Sequence, residues 1–457
     1  MTLIYNALSG ALAAQAALNT TSQNIANLQT KGYTRQGVLL SAIAPGVGTM
    51  QAGSGVQVSS LLRFSDSYKT QQLWRTNTEI GTYTESNRYL TQLEQVMGDD
   101  KTSLSNGMDT FFKALNAVGS DPTSSPLRQA VVTAADAMSQ GFNSIYSVTR
   151  NQQISVSQQR DAIIPQFNTV LKNIATLNQR IQTAAAVGTN TSALIDERDQ
   201  QIDQLSNFAA IEVLDQPDGS RSIALKGGQP LVSGRDAATL SMGTAATPVL
   251  TLDFANSSFP LDDTQLGGQL GGLGNFEKNT LLPLQQSIAD IAQNLASLVN
   301  AQLLAGSNGV PPTTPGIPLF SFNPTGTAGI LSVMPGFKAS DLALSGDGTP
   351  GDSSNLQLLI GIKNQSINVG SIGLVQVGDA DTQLVGKLGV DSAQNQSLLK
   401  TATTIRQQAE DDWASTSSVN KDEEAIDLVQ FQNMYQANMR VITVANTLFD
   451  ATLAIFG

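Results

Sequence analysis

Residues 2–30 read TLIYNALSGALAAQAALNTTSQNIANLQT, a stretch with no charged side chain and a strong repeat. Ile4, Ala11, Leu18 and Ile25 fall seven residues apart, and Ala7, Ala14 and Thr21 fill the second seam position of the same heptads. Asn, Gln, Ser and Thr take the remaining faces. The spacing predicts a helix about 40 Å long at ~1.5 Å per residue. Its apolar stripe is narrow and small-sided, and its polar faces are neutral. Such a helix gains little by packing on its own globule. It suits close helix–helix contact, where charges would be costly to desolvate.

The other end of the chain repeats the design. Leu428, Tyr435, Ile442, Phe449 and Phe456 recur every seven residues, with Met434, Val441, Leu448 and Ile455 beside them. Phe431 and Ala445 widen the stripe. This helix is expected to start after Ser417, Ser418 and Asn420, with Asp422, Glu423 and Glu424 at the positive end of its dipole. Both termini are therefore heptad helices able to pair with each other or with neighbouring subunits.

Between them the periodicity changes several times. A Gly-rich, β-like connector spans 31–62, punctuated by Gly32, Gly37, Pro45, Gly46, Gly48, Gly53 and Gly55. Helical spacing returns over 65–97, 104–118 and 127–186, where Pro165 should kink or break the run, and over 192–208. Short strands are expected over 210–263, with Asp218-Gly219 turning between Ile211–Leu214 and Arg221–Leu225. Helix resumes over 275–305. An irregular Pro/Gly-rich stretch follows over 306–350, with short strands at 318–322 and 330–334, and then helices to the end. The expected fold is mainly α. Terminal heptad helices with their connector (1–62 and 401–457) form a coiled-coil inner domain. Residues 63–208 and 266–400 form a helical-bundle middle domain, and 209–265 a small β-rich outer insertion.

Composition narrows the chemistry. The 457 residues include no Cys and no His, which removes thiol nucleophiles, imidazole bases and His/Cys zinc sites. Charged residues are only 14%, against roughly 25% in an average domain. A net charge of −12 disfavours nucleic acid and anionic lipid as partners. No apolar run suits membrane insertion, and the amino terminus lacks the basic leader of a cleaved signal peptide. Gly267–Leu273 lacks the Gly-Lys-Ser/Thr ending of a phosphate loop and is read as a flexible entry to the next helix. Asp99-Asp100, Asp262-Asp263 and Asp422–Glu424 are read as turns and helix starts, with no calcium-loop spacing. Asp196–Asp199 is read as a charged helix face with weak local pairs. No catalytic, metal or cofactor residue stands out, and no enzyme activity is expected.

The most specific string is Ser22-Gln23-Asn24-Ile25-Ala26-Asn27 followed by Thr30-Lys31-Gly32-Tyr33. A helix stop accounts for one Asn and the Gly, but not for the whole string. It resembles the amino-terminal signature of the flagellar axial proteins (rod, hook and hook-associated), carried here by Ser22, Asn24, Ile25, Ala26, Asn27, Thr30, Gly32 and Tyr33. The carboxy terminus is similar to the closing helix of the same family. Its shared residues are Asp422–Ala425, Leu428–Gln432, Tyr435-Gln436-Ala437 and Arg440–Ile442. The block Gly267–Leu273, Phe276, Leu282-Pro283, Leu295-Ala296 and Val299-Asn300 resembles the hook-associated members, with Leu303 where those often have His.

The resemblance implies a non-enzymatic subunit of the bacterial flagellum, exported unfolded without a cleaved signal and polymerising at the junction of hook and filament. Implied partners are further copies of the chain, the hook protein, hook-associated protein 3, and a cytosolic export chaperone at the carboxy-terminal helix. No cofactor is implied. Terminal helices that bury their stripes only against neighbours should be loosely held in the free chain, so brief proteolysis is expected to remove about the first 60 and about the last 50 residues. Two alternatives use the same residues. One is another axial subunit, either the hook protein or hook-associated protein 3. The other is a secreted adhesin or enzyme whose working part is the β insertion, which would require binding or cleavage by 209–265.

Overall fold

The computed structural model describes residues 2–44, 53–99, 103–243, 249–324 and 329–456. Pro45, Gly46 and Gly48 of the connector, Asp100, and the side chains of Ile455 and Phe456 lie outside the described residues. The helices are α1 Thr2–Ala26, α2 Ser67–Met97, α3 Leu104–Val118, α4 Ser125–Ala186, α5 Ser192–Phe208, α6 Gly268–Phe276, α7 Leu282–Ala305, α8 Ser354–Gly361, α9 Ala380–Ser417 and α10 Lys421–Phe456. The strands are β1 Gln36–Ala42, β2 Val56–Arg63, β3 Ile211–Asp215, β4 Arg221–Leu225, β5 Pro230–Ser233, β6 Asp236–Ala237, β7 Thr239–Met242, β8 Leu250–Phe254, β9 Ser257–Leu261, β10 Phe320–Phe322, β11 Leu331–Val333, β12 Ser366–Val369 and β13 Gly373–Gln376. The fold is mainly α with small antiparallel sheets.

These elements form two compact units: 1–80, 165–261 and 402–457 in the first, and 81–164 and 262–401 in the second. Helices α2, α4 and α9 contribute to both. The sequence reading divided the chain in three, with 209–265 as an outer insertion. Strands β3–β9 instead belong to the compact unit that holds both termini, because α4 and α5 clamp them there. Asn178 of α4 accepts from Arg221 N–H (3.1 Å) and donates to Arg221 C=O (2.9 Å). Asn168 does the same to Leu240, at 2.7 and 2.8 Å. Each amide acts as one rung of a β-ladder. It satisfies a buried peptide group without introducing charge.

In the first unit the β-like connector holds an antiparallel hairpin of β1 and β2, bulged between Leu39 and Leu40. Strands β3–β6 and β7–β9 form separate sheets of four and three strands. The β3–β4 turn falls on Asp218-Gly219, with Gly219 at φ +83°. Pro165 does not break α4, which runs through it as one helix.

The second unit is built around Leu93, Met97, Met108, Phe111, Phe142 and Ile145, all buried, with Phe111 edge-on to Phe320 at 5.8 Å. The glycines of 267–274 are not a flexible entry. Helix α6 already starts at Gly268 and passes through a π turn, Glu277–Leu281, into α7. A Cβ on Gly272 would lie 2.4 Å from the Thr82 carbonyl oxygen, so glycine there allows two helices to touch backbone to backbone. Ser86 Oγ donates to the Gly272 carbonyl (3.1 Å), and Tyr89 stacks on Phe276 at 5.3 Å. The irregular 306–350 stretch is held from the helices. Asn300 accepts from Leu319 N–H and Phe320 N–H (2.9 Å each), and Asn143 accepts from Ile330 N–H and Leu331 N–H (2.7 and 3.0 Å). The buried Arg128 guanidinium donates to the carbonyls of Pro122, Asn308, Ala339 and Leu342.

Candidate functional site

Helices α1 and α10 pack along each other, with Asn24 at Glu424 and Gly10 at Asn438, so they run antiparallel. The buried row of α1 is Ala7, Gly10, Ala14, Ala17, Thr21 and Asn24, the spacing of a coiled-coil seam. A Cβ on Gly10 would lie 2.6 Å from Asn438 Oδ1, so the two axes approach closely only because that position is glycine. The seam therefore takes the row of Ala7, Ala14 and Thr21. Of the row expected to lead, Ala11 is buried, Ile4 and Leu18 are half-buried, and Ile25 is 39% exposed. On α10, Leu428, Tyr435 and Ile442 are half-buried beside Phe431, Met434 and Asn438.

The opposite faces stay apolar. Tyr5 is 65% exposed, Leu448 60% and Phe449 58%, and Leu3, Leu8, Leu12, Ile426, Val429, Val444 and Leu453 are exposed with them. Phe449, expected in the subunit-packing row, is exposed in the single chain. The antiparallel pairing places Leu3–Leu12 and Val444–Leu453 at the same end of the pair, away from Asn24.

At the other end sits the signature string. Asn24 is 1% exposed, and its amide is fully engaged. It accepts from Gln36 N–H (3.1 Å) and Tyr33 O–H (2.8 Å), and donates to Gln36 C=O (2.8 Å) and Glu424 Oε1 (3.1 Å). Asn27 donates to Gln23 C=O (2.9 Å) and accepts from Thr30 Oγ1 (3.2 Å), which shapes the turn after α1. Gly32, at φ +77°, lets the turn pass Gln200, which donates to the Lys31 carbonyl at 2.6 Å. Ser22, Ile25 and Ala26 are exposed on α1, and the Ile25 carbonyl accepts from Leu28 N–H (3.3 Å) as the helix ends.

Residues 33–36 then form a hub. Thr34 N–H donates to Asp196 of α5 (3.1 Å). Arg35 N–H caps α9 at the Ser417 carbonyl (2.8 Å), and its guanidinium grips the first turn of α10 at Glu423 and Glu424 (2.8 Å each). That guanidinium also lies 5.2 Å above the Phe64 ring. Burial, and then the negative charges of Asp196 and Glu424, push the Tyr33 hydroxyl up to about 12, so it stays a donor to Asn24.

Behind the hub lies a second layer of charge. Asp196 and Asp199 do not face solvent, as the sequence reading had it. Arg63, closing β2, pairs with both at 2.8 and 2.9 Å, and Arg221 of β4 pairs with Asp199. Burial raises the Asp196 carboxyl even against the opposing Arg63 charge. Arg198 turns inward to Asn178 (3.0 Å) and the Gly219 carbonyl (2.8 Å), and burial, with the like charge of Arg221, lowers its guanidinium to about 10. A cleft of about 710 Å³ opens beside the 27–33 turn, and its Asp203 and Glu410 are paired with Arg406. Among the described residues no cluster of three or more metal-binding side chains occurs, and no helix is long and apolar enough to cross a membrane.

Comparison with known proteins gives the context for this arrangement. The family description "flagellar hook-associated protein FlgK helical domain" matches residues 90–320. The chain belongs to the FlgK family of flagellar hook-associated proteins. Two further family descriptions match the ends of this FlgK-family chain: the flagella basal body rod protein at 4–34 and the flagellar basal body rod FlgEFG protein C-terminal at 414–455. Flagellar hook-associated protein 1 of Escherichia coli K12 is 27% identical, with 99% of each chain covered. Its namesake in Bacillus subtilis is 26% identical, with 96% of this chain and 95% of the relative covered. The solved flagellar hook junction protein FlgK of Burkholderia pseudomallei matches with a TM-score of 0.51 and 27% identity, over 55% of this chain and 46% of that one. Asn24, Thr30, Gly32, Tyr33 and Thr34 thus lie in the matched 4–34 segment, while Glu424, which accepts from Asn24, and Asp196, which accepts from Thr34 N–H, lie in other segments. Sequence reasoning missed that pairing. Arg35 and Arg63, two cations bracketing a hairpin in a charge-poor region, were the available signal.

Proposed function

We propose that this chain is a structural subunit of the bacterial flagellum that sits at the hook–filament junction and polymerises through the outward faces of α1 and α10. The exposed apolar row from Tyr5 to Leu12, beside Val444 to Leu453, carries this reading. A surface of that kind on a water-soluble subunit is an assembly face. The charge-free length of α1 supports it, since many copies can crowd around an axis without accumulating like charge. The role is mechanical, and no step of chemistry is assigned. The neighbours proposed are further copies, the hook protein on one side and hook-associated protein 3 on the other, in an extracellular setting reached by the flagellar export route. A cytosolic chaperone that covers α10 before export fits the same exposed row.

Deletion of residues 1–30 in a flagellated host lacking its own copy tests the proposal. Hooks are expected to form while filaments fail to attach, and filaments shed into the medium would be the visible sign. Motile cells with attached filaments would overturn it.

A further inference from the structure

The chain has two Trp among its 457 residues, and both line the cleft beside the 27–33 turn. That turn, the start of α2, one face of α5 and the last turns of α9 form its walls. Trp74 of α2 is 5% exposed and lies under the Arg221 guanidinium at 5.4 Å, which fixes its ring. Trp413 of α9 is half-buried, so part of its indole stays open. The charges of the walls are already matched. Asp203 and Glu410 hold Arg406, and Asp196 and Asp199 hold Arg63. Among the described lining residues only Lys31 and Asp411 stand outside ion pairs, and their charges are opposite. Amides are left for a ligand. Gln29 of the turn and Gln204 of α5 are exposed, with no side-chain hydrogen bond among the described residues. The volume of about 710 Å³ falls within the roughly 300–1,000 Å³ of small-molecule sites.

We propose that this cleft binds a short, neutral, β-linked gluco-oligosaccharide. The ring hydroxyls of such a sugar are equatorial, so its C–H bonds form flat apolar faces. One face packs on the electron-rich indole of Trp413. The hydroxyls at the ring edge exchange hydrogen bonds with Gln29 and Gln204, whose amides both donate and accept. Matched walls recognise by shape and hydrogen bonding and not by charge. Five lining carboxylates against three cations disfavour an anionic sugar. None of the cleft residues belongs to the exposed rows of α1 and α10, so the proposal goes beyond the assembly reading and does not rest on it.

Titration of the full-length chain with cellotriose tests it. Intrinsic fluorescence is the direct reporter, because both tryptophans lie in the cleft, and calorimetry supplies the affinity. Cellotriose is expected to bind saturably at one site, with trigalacturonate, tri-alanine and adenosine each at least about tenfold weaker. Trp413→Ala should weaken cellotriose binding at least about tenfold, while Trp413→Phe keeps a ring and loses about threefold or less. Gln204→Ala alters an exposed side chain and should cost about threefold, with the parent's circular dichroism retained. No saturable binding of cellotriose would overturn the proposal. So would parental affinity in Trp413→Ala, or binding of tri-alanine or adenosine as tight as that of cellotriose, which would make the cleft a peptide or nucleoside site.

Discussion

Replacing Gly272 by Ala sets two effects of opposite sign against each other, and the geometry decides between them. Gly272 lies inside α6, where Ala is intrinsically favoured by about 1 kcal/mol. The new methyl would stand 2.4 Å from the Thr82 carbonyl oxygen and 3.1 Å from its Cα, and both are backbone atoms. Normal contact requires a separation of about 3.4 Å or more, so α6 must move away by about 1 Å. That movement strains the Ser86 bond to the Gly272 carbonyl and the Tyr89–Phe276 stack. Overpacking of this kind costs about 1–3 kcal/mol, and a weakened buried hydrogen bond about 1 more. The net expectation is a loss of about 1–3 kcal/mol. Gly141, mid-helix in α4, is the internal control, because a Cβ there meets nothing within 4 Å. Gly141→Ala should gain about 0.5–1 kcal/mol from propensity alone. Urea unfolding followed by far-ultraviolet circular dichroism measures both. A Gly272→Ala variant as stable as Gly141→Ala would refute the close-approach account.

Further outcomes follow from individual side chains. Arg128→Met removes the shared donor of the Pro122, Asn308, Ala339 and Leu342 carbonyls, of which Ala339 keeps the Leu342 N–H, and should cost about 3–5 kcal/mol by the same unfolding assay. Arg128→Lys should recover little, since an ammonium cannot fan out to four oxygens. Burial holds the Asp381 carboxyl above its usual range against the bonds from Ser103 Oγ and Ser105 N–H. Its protonated form is the one the fold prefers. Its contribution is complete below the unfolded value of about 3.9 and is lost as pH rises through the raised folded value. Asp381→Asn should therefore match the parent at low pH and equal or exceed it at pH 7. A variant that is less stable at pH 7 by urea midpoint would contradict this.

The helices were legible because their periodicity is long and the glycine and proline punctuation is clear. α3 and α5 lie where the spacing put them, and β3–β4 turns at Asp218-Gly219. What could not be read was set by partners far along the chain. Gly268–Gly274 has the composition of a loop, and only the Thr82 backbone pressed against it makes the same glycines helical. Asp196-Glu197-Arg198-Asp199 has the pattern of a solvated face, yet Arg63 and Arg221 arrive from strands to take its carboxylates. Asn24, Asn168 and Asn178 are ordinary polar helix residues until a strand edge is laid against each. The α1 seam was displaced for a related reason. Ile4, Leu18 and Ile25 are the larger apolar residues, but close contact selects the smallest ones, and the larger side chains are left at the margin or outside.

The outward faces of the terminal helices are where the account is most directly tested. Leu12→Gln, Leu448→Gln and Phe449→Gln together alter three exposed side chains, so the monomer's unfolding midpoint should not change. Each side chain buried at an assembly interface contributes about 1.5–3 kcal/mol, so the triple variant should lose about 5–9 kcal/mol of assembly energy. The measurement is the amount of this chain retained on purified hook–basal bodies. The account predicts that the triple variant is folded, exported and absent from the structure. Retention at the parent's level would contradict it.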